Sequence, residues 1–267
     1  MKTNKLNDLD GKTWMKFTKS WFIHNPPPRS KEQAKHPAKF PESLAQEFIE
    51  FFTKNGESVL DPMMGVGSAL VAAVRCGRRG YGVELNEEYY EQAARWLTRE
   101  SIEGDWCIWP GDAKDIVSFW GENQFNYLIT SPPYWTALRR PAVTERRKER
   151  EADKEQDAYY SEDPADVGNI EDYDEFLDSL VAIYTECAKV LKPEAYATII
   201  VKNLREGPKI HTLAWDLAKR LDQETSLKFR GEMIYCQNNI KLYPFGIYSA
   251  YVSNVHHHYC LNFRKEE

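Results

Sequence analysis

Four segments of the sequence that read as β-strands each end in a residue able to bind or polarise a ligand. These residues are Asp61, Glu84, Asp112 and Ser131. Ligands of open α/β sheets bind beyond the carboxyl ends of the strands, so all four are expected along one edge of a sheet. A carboxylate such as Glu84 can accept hydrogen bonds from both hydroxyls of a ribose. Asp112 can accept a hydrogen bond from the exocyclic amine of an adenine. The spacing therefore predicts a site for a ligand that contains adenosine.

A glycine loop, residues 61–68, follows the first of these strands. Gly65 and Gly67 permit a tight turn and a close approach of the backbone to a ligand. A dinucleotide loop would carry a third glycine where this chain has Leu70, and the Gly-Lys-Ser/Thr end of a triphosphate loop is absent. The Asp61 carboxylate would repel a pyrophosphate, whereas it would attract the ammonium and sulfonium groups of S-adenosylmethionine. We therefore predict S-adenosylmethionine, not NAD, as the cofactor.

The fourth strand leads into the tetrapeptide Ser-Pro-Pro-Tyr at residues 131–134. The exocyclic amine of a base is a poor nucleophile, because its lone pair is delocalised into the ring. The Ser131 hydroxyl and the Pro132 carbonyl can accept hydrogen bonds from its N–H groups and draw the nitrogen toward tetrahedral geometry, which frees the lone pair. The ring of Tyr134 can stack on a base that has been taken out of its helix. The tetrapeptide therefore predicts the activation of an exocyclic amine.

Together these motifs resemble those of the amino-methyltransferases of DNA, which methylate N4 of cytosine or N6 of adenine. Residues 36–41 resemble the family segment that precedes the glycine loop and helps to hold the methionine part of the cofactor. The resemblance is strong over residues 36–135. A serine before the two prolines is the form most associated with N4-cytosine enzymes. The resemblance thus implies direct methyl transfer from S-adenosylmethionine to N4 of a flipped-out cytosine, in DNA rather than RNA, within a restriction-modification system.

The motifs and the resemblance together assign roles to individual residues. Cofactor binding is assigned to His36, Phe40, Pro41, Asp61, Met63, Gly65, Gly67, Ser68, Glu84, Leu85, Asp112 and Ala113. The catalytic role is assigned to Ser131, Pro132, Pro133 and Tyr134.

Four other functions compete with this interpretation. N4-cytidine methylation of structured RNA such as rRNA is favoured by the small size of the chain and by the lack of a separate recognition domain. N6-adenine methylation of DNA keeps the same chemistry on another base. A nicotinamide-dependent oxidoreductase is disfavoured by Asp61 and Leu70. A non-catalytic nucleic-acid-binding module is disfavoured because the motifs at all four strand ends are intact.

Strands and helices alternate along the chain, which predicts an α/β fold with helices on both faces of a mostly parallel sheet. Seven strands are expected, and the resemblance implies a Rossmann-like methyltransferase whose last two strands form an antiparallel hairpin. Residues 1–35, which include three consecutive prolines, are predicted to be an irregular basic arm. Residues 36–267 are predicted to be the methyltransferase domain, with a charged insertion at 136–170. The strands are expected at 58–60, 81–83, 106–109, 125–130, 195–201, 228–240 and 259–263.

Charge is distributed unevenly, although the net charge is −6. Residues 1–40 carry nine basic and three acidic residues, and residues 139–150 carry six basic and two acidic residues. Basic patches on an acidic protein can guide a polyanion to one face. The predicted nucleic-acid contacts are Arg139, Arg140, Arg146 and Arg147.

Composition excludes several other classes of protein. The apolar run 69–74 is far shorter than the roughly 20 residues of a membrane span, and no apolar core follows the first lysines as in a secretory signal. The five widely spaced cysteines suit a reducing compartment, so a cytoplasmic protein without membrane association is expected. The histidines at 256–258 are predicted to have a structural or nucleic-acid-contacting role rather than to bind a metal. Residues 241–246 are expected to form a loop at the catalytic edge that lines the target pocket or packs in the core.

Overall fold

The computed structural model describes residues 4–25, 40–100, 104–133, 135, 163–206, 209–238, 241–242, 244 and 247–266. Its centre is an eight-stranded sheet, and a two-stranded sheet lies beside it. The strands are β1 (Trp21–Ile23), β2 (Ser58–Asp61), β3 (Arg79–Glu84), β4 (Trp106–Pro110), β5 (Phe125–Thr130), β6 (Leu191–Val201), β7 (Leu204–Glu206), β8 (Lys209–His211), β9 (Leu227–Cys236) and β10 (His257–Lys265). The α-helices are α1 (Gly11–Phe17), α2 (Glu42–Phe52), α3 (Ser68–Arg75), α4 (Glu87–Glu100), α5 (Ile116–Trp120), α6 (Tyr173–Val190) and α7 (Leu213–Glu224).

The order of strands in the large sheet is β1-β9-β10-β6-β5-β2-β3-β4. All neighbouring pairs are parallel except those of β10, which runs antiparallel to both β6 and β9. The predicted α/β fold, with a mostly parallel sheet and an antiparallel C-terminal hairpin, is therefore confirmed. The carboxyl ends of β2, β3, β4 and β5 meet at one edge, as the sequence predicts.

Two apolar cores cover the two faces of the sheet. One contains Phe48 of α2 and Leu70 of α3, and the other contains Phe176 and Leu180 of α6. The central strand β5 is buried along nearly its whole length, which is typical of a parallel strand covered by helices on both faces. The ends of these buried strands are therefore held rigidly, and so are the residues that follow them.

The N-terminal segment departs from the sequence-based expectation. Residues 1–35 were predicted to be irregular, but Gly11–Phe17 form helix α1 and Trp21–Ile23 form β1. Strand β1 pairs in parallel with β9 and is the eighth strand of the sheet, whereas seven were expected. Aromatic contacts hold the segment. The Phe17 ring stacks on the Phe51 ring with their centroids 4.0 Å apart, and the Phe22 ring stacks on the Tyr235 ring with their centroids 5.7 Å apart. Such short elements depend on tertiary packing, which local sequence patterns do not reveal.

The charged insertion predicted at 136–170 is described only at its C-terminal end. Residues 163–170 include a turn of 3₁₀-helix, Val167–Asn169, which Asp166 begins by accepting a hydrogen bond from the Gly168 amide. Val167 is buried in the same core as α6. This end of the segment therefore belongs to the folded domain. None of the helices within the described residues is long and apolar enough to cross a membrane.

Candidate active site

A cavity of about 850 Å³, measured out to its open mouth, lies at the carboxyl edge of β2, β3, β4 and β5. Eight of the twelve residues predicted to bind cofactor line it, together with two residues of the Ser-Pro-Pro-Tyr motif. The eight are Phe40, Met63, Gly65, Ser68, Glu84, Leu85, Asp112 and Ala113, and the two are Ser131 and Pro133. The structure thus gathers motifs that lie far apart in the sequence around one space.

The glycine loop between β2 and α3 turns as predicted. Gly65 and Gly67 both have left-handed backbone angles, with φ of +54° and +85°, a region that glycine enters without steric cost. Gly65 lines the cavity, whereas Gly67 lies behind it, where an added Cβ would meet Ala93 of α4 at 3.2 Å. Gly65 therefore permits approach to a ligand, and Gly67 permits close packing of α4.

Glu84 is fixed at the end of β3 by two backbone amides. Its Oε2 accepts a hydrogen bond from the Gly65 amide at 2.8 Å, and its Oε1 accepts one from the Asn86 amide at 2.9 Å. Burial raises its pKa to about 7, and the two amides oppose that rise. Each oxygen keeps a further lone pair, so the carboxylate can accept two hydroxyls of a ligand in the cavity.

Asp61 plays a different part from the one its position predicts. It was expected to face the cationic groups of the cofactor, but its side chain does not line the cavity and is only 2% exposed. Its Oδ1 accepts hydrogen bonds from the Thr130 hydroxyl at 2.7 Å and from the Met63 amide at 3.2 Å. Asp61 therefore ties the start of the glycine loop to the end of β5 from beneath the cavity.

Burial of Asp61 has a measurable consequence for stability. Burial raises its pKa from 3.8 to about 7, so the folded state holds a proton that the unfolded state has released between these values. The stability that this bound proton contributes to the folded state is fully present below about pH 4 and is lost as the pH rises through about 7. Asp61→Asn keeps an acceptor oxygen without the charge. We expect its melting temperature, compared with that of the wild type, to be higher at pH 8 and to fall less between pH 5 and pH 8. Equal pH profiles in thermal unfolding of the two proteins would contradict this.

Asp112 lies where β4 gives way to the 3₁₀-helix Ala113–Asp115. Its Oδ1 accepts a hydrogen bond from the Lys114 amide at 2.9 Å, which fixes the carboxylate at the rim of the cavity. The rings of Trp109 and Phe119 stack nearby, 5.5 Å apart and nearly parallel. Asp112 therefore lies at the cavity, and its contact with adenine stays a prediction.

The Ser-Pro-Pro segment emerges directly from β5. Ser131 and Pro133 line the cavity, while Pro132 is buried behind them. The next described residue, Trp135, is also buried: its indole N–H donates to the Glu171 carbonyl at 3.1 Å, and its ring packs against His211 at 4.5 Å. The segment is thus anchored at both ends, by a buried strand and by a buried tryptophan.

Several predicted site residues cannot be placed at the cavity. Pro41 begins helix α2 and is buried. His36 and Tyr134 lie outside the described residues, as do the predicted nucleic-acid contacts Arg139, Arg140, Arg146 and Arg147.

The structure adds lining residues that the sequence did not single out. Besides residues within the glycine loop, they are Asn86, Tyr89, Gly111, Ala165, Asp166, Val167 and Ile183. Asp166 stands out, because its carboxylate is 7% exposed and lies close enough to Glu84 to raise the pKa of that group further. Gly168, two residues on, packs against Pro133, where an added Cβ would meet the proline at 3.3 Å. The only signal in the sequence was the turn pattern Asp-Val-Gly, which gives no hint of the cavity.

The chemistry of the lining fits S-adenosylmethionine. Among the described residues that line the cavity, Glu84, Asp112 and Asp166 carry carboxylates, and no lysine or arginine is present. Such a lining favours a cationic ligand and disfavours a pyrophosphate. Ser68 also lines the cavity, and its hydroxyl is buried with no hydrogen-bond partner among the described residues. A buried hydroxyl of this kind is costly unless a ligand completes it, so the site is suited to a ligand with polar atoms at the start of α3.

The described cysteines and histidines lie apart from the cavity and differ in burial. Cys187 and Cys260 are fully buried, whereas Cys76, Cys107 and Cys236 are only partly buried. His258 stacks on Tyr235 at 5.1 Å, which is a packing role. Within the part of the chain that the structure describes, no three His, Cys, Asp or Glu side chains are grouped as a metal site would require.

Comparison with known proteins matches residues 2–95 to the N6/N4 methyltransferase family, described as DNA methylase. Type II methyltransferase M2.DpnII from Streptococcus pneumoniae is 40% identical over 67 residues, which is 25% of each chain. A tRNA (guanine(10)-N2)-dimethyltransferase from Pyrococcus abyssi is 30% identical over 105 residues, 39% of this chain and 31% of the relative. The matches thus span about a quarter to a third of the length of these relatives. The family match ends before the Ser-Pro-Pro-Tyr motif.

A solved structure from Clostridium thermocellum, described as a candidate rRNA methylase, shares the fold. It has a TM-score of 0.51 and 8% identity, over 85% of this chain and 98% of that one. The sheet and this likeness define the class of the protein, a Rossmann-like methyltransferase fold. The sequence matches support the resemblance to the amino-methyltransferases of DNA. Methyltransferase relatives imply S-adenosylmethionine as the methyl donor, in agreement with the prediction from the strand ends.

Proposed function

We propose that this chain transfers a methyl group from S-adenosylmethionine to the exocyclic N4 amine of a flipped-out cytosine in DNA. One observation carries the proposal: Ser131 and Pro133 line the same cavity as Gly65 and Glu84. An amine held at the Ser-Pro-Pro segment would therefore lie next to a cofactor held by the glycine loop. The names of relatives such as M2.DpnII support a role as the modification enzyme of a restriction system.

Residues of the first three strand ends hold the cofactor in this proposal. Glu84 accepts hydrogen bonds from the two ribose hydroxyls, on the lone pairs that the Gly65 and Asn86 amides do not use. Asp112 lies at the adenine end, and Phe40 and Met63 provide apolar contact. The Ser68 hydroxyl gains a polar partner. When bound, S-adenosylmethionine supplies a methyl group made electrophilic by its sulfonium.

The Ser-Pro-Pro segment activates the amine. The Ser131 hydroxyl and the Pro132 carbonyl accept hydrogen bonds from its two N–H groups, so the lone pair becomes free as the nitrogen turns tetrahedral. The amine nitrogen then attacks the methyl carbon, a nitrogen–carbon bond forms as the carbon–sulfur bond breaks, and the surplus proton passes to water. Tyr134 stacks on the flipped base. No covalent bond between enzyme and base is required.

Two alternatives keep this chemistry and change the target. N6 of adenine in DNA presents an amine of the same kind, and the matched family covers both bases. RNA is supported by a relative named as a tRNA methyltransferase. The serine at position 131 favours cytosine N4, as the resemblance implies. Arg139, Arg140, Arg146 and Arg147 stay proposed contacts to the polymer.

Product identification separates these targets. The protein is incubated with methyl-labelled S-adenosylmethionine and separate pools of DNA and RNA, and the nucleosides are analysed by mass spectrometry. We expect N4-methyldeoxycytidine from the DNA pool, and no label with Ser131→Ala over the same time. N6-methyldeoxyadenosine, or label in RNA alone, would contradict the assigned target.

Asp166 is proposed to stabilise the positive charge of the cofactor. Asp166→Asn keeps the size of the side chain and its turn. We expect it to weaken S-adenosylmethionine binding at least about tenfold, because one charge interaction at an effective dielectric near 20 is worth about 1.4 kcal/mol at roughly 12 Å and more at shorter range. Binding of S-adenosylhomocysteine, which lacks the sulfonium charge, should weaken much less. Titration calorimetry with both ligands gives the ratio of the affinity for S-adenosylmethionine to the affinity for S-adenosylhomocysteine in each protein. Asp163→Asn removes the same charge from an exposed position of the same turn and should leave the ratio unchanged. An equal loss for both ligands in Asp166→Asn would sink the assignment.

A further inference from the structure

The carboxyl edge of the sheet continues beyond the cavity, along β6, β10 and β9. Thr130 at the end of β5 pairs with Ile199, and Val201 at the end of β6 pairs with Tyr259. Cys236, the last residue of β9, pairs with His257. This register aligns the ends of β6, β10 and β9 in a row that begins beside Ser131. Because neighbouring strands lie about 4.8 Å apart, the row extends roughly 14 Å away from the cofactor cavity.

This part of the edge differs in charge from the cavity. Lys202 directly follows β6, is half-buried, and makes no ion pair with any carboxylate in the described part of the chain. Burial lowers the pKa of its ammonium. Burial also lowers the pKa of the His257 imidazole at the start of β10, and the Lys202 ammonium lies close enough to lower it further. A cation left without a carboxylate here is suited to an anion from outside the protein.

The loop that joins β9 to β10 leaves the same edge and exposes aromatic rings. Tyr248 and Tyr251 are almost completely exposed, so neither ring contributes to the core. The loop is nevertheless tethered, because the Arg205 guanidinium donates to the carbonyl and hydroxyl oxygens of Ser253, both at 3.3 Å. Exposed rings at an edge that also carries a cation without a carboxylate partner are a combination suited to single-stranded nucleic acid, through stacking and phosphate contacts.

We propose that Lys202, His257, Tyr248 and Tyr251 form a nucleic-acid-binding surface, the distal edge surface, which holds the strand that flanks the target base. Lys202 contacts a phosphate next to the flipped nucleotide, and the two tyrosines stack on bases farther along. The inference rests on the proposed function, because it needs the target base to enter at Ser131. It places recognition on the folded domain, in addition to the arginines predicted at 139–147.

Fluorescence anisotropy with labelled DNA, titrated with salt, tests the distal edge surface. Lys202→Gln is expected to reduce the log–log salt slope by about 0.7 to 0.9, the value for one lost phosphate contact. Tyr248→Ala combined with Tyr251→Ala is expected to weaken binding about 5- to 150-fold for each base unstacked, whereas the double change to Phe should keep most of the affinity. Affinity for S-adenosylmethionine should not change in any of these variants.

Two controls match these changes on other surfaces. Lys219→Gln alters an exposed lysine of α7, and Met15→Ala alters an exposed apolar residue of α1; both should bind DNA like the wild type. If the Lys202 and tyrosine variants bind DNA as tightly as the wild type does, the proposal of the distal edge surface is wrong and the proposed function stands. A change in oligomeric state without a change in DNA affinity would also overturn it. If the wild type methylates no nucleic acid at all, the proposed function fails instead.

Discussion

Ser131→Ala is expected to lower the single-turnover rate of methyl transfer by about 10²- to 10³-fold, the usual loss when one preorganised contact is removed. The hydroxyl accepts a hydrogen bond from an N–H of the amine, and this N–H becomes most acidic as the nitrogen turns tetrahedral. The contact is therefore stronger in the transition state than in the bound substrate. Rapid-quench measurement with saturating cofactor and DNA isolates this step, and affinity for both ligands should change little.

Ser118→Ala is a matched control for this change. Ser118 is an exposed serine of α5 whose hydroxyl donates to the Asp115 carbonyl, so its loss should leave the rate of transfer as in the wild type. If Ser131→Ala transfers methyl groups at the wild-type rate, the Ser-Pro-Pro segment is only a rigid turn. The activation of the amine would then have to come from another group.

Glu84→Gln is expected to weaken binding of S-adenosylmethionine by roughly 10- to 150-fold, because hydrogen bonds to a charged acceptor contribute about 1.5–3 kcal/mol. The amide NH₂ would also face the backbone N–H of Gly65 or Asn86, each of which needs an acceptor. Titration calorimetry measures the change. Glu87→Gln, three residues on in the exposed first turn of α4, should bind the cofactor normally. Normal binding by Glu84→Gln as well would remove Glu84 from the site.

The location of the site could be predicted from sequence because parallel strands bring their carboxyl ends to one edge. Once β2, β3, β4 and β5 were recognised, the topology placed Glu84, Asp112 and Ser131 together without knowledge of any contact. The glycine loop was predictable for a similar reason, since Gly65 and Gly67 adopt backbone angles that other residues rarely adopt.

Contacts between distant parts of the chain could not be predicted in this way. The role of Asp61 depends on Thr130, which lies 69 positions away and turns the carboxylate beneath the loop. Asp166 reaches the cavity from a segment that follows a long charged stretch, and no local periodicity points to it. Strand β1 is held in the sheet by the Phe22 ring, which stacks on the ring of Tyr235 in β9. Each of these depends on side-chain packing that the spacing of residue types does not specify.

A crystal structure of the protein with S-adenosylmethionine bound tests the central claim most directly. We expect both ribose hydroxyls within hydrogen-bonding distance of Glu84, the adenine beside Asp112, and the methyl carbon directed toward Ser131. A cofactor bound in the opposite orientation, with its methyl group away from the Ser-Pro-Pro segment, would contradict the account, as would binding outside this cavity.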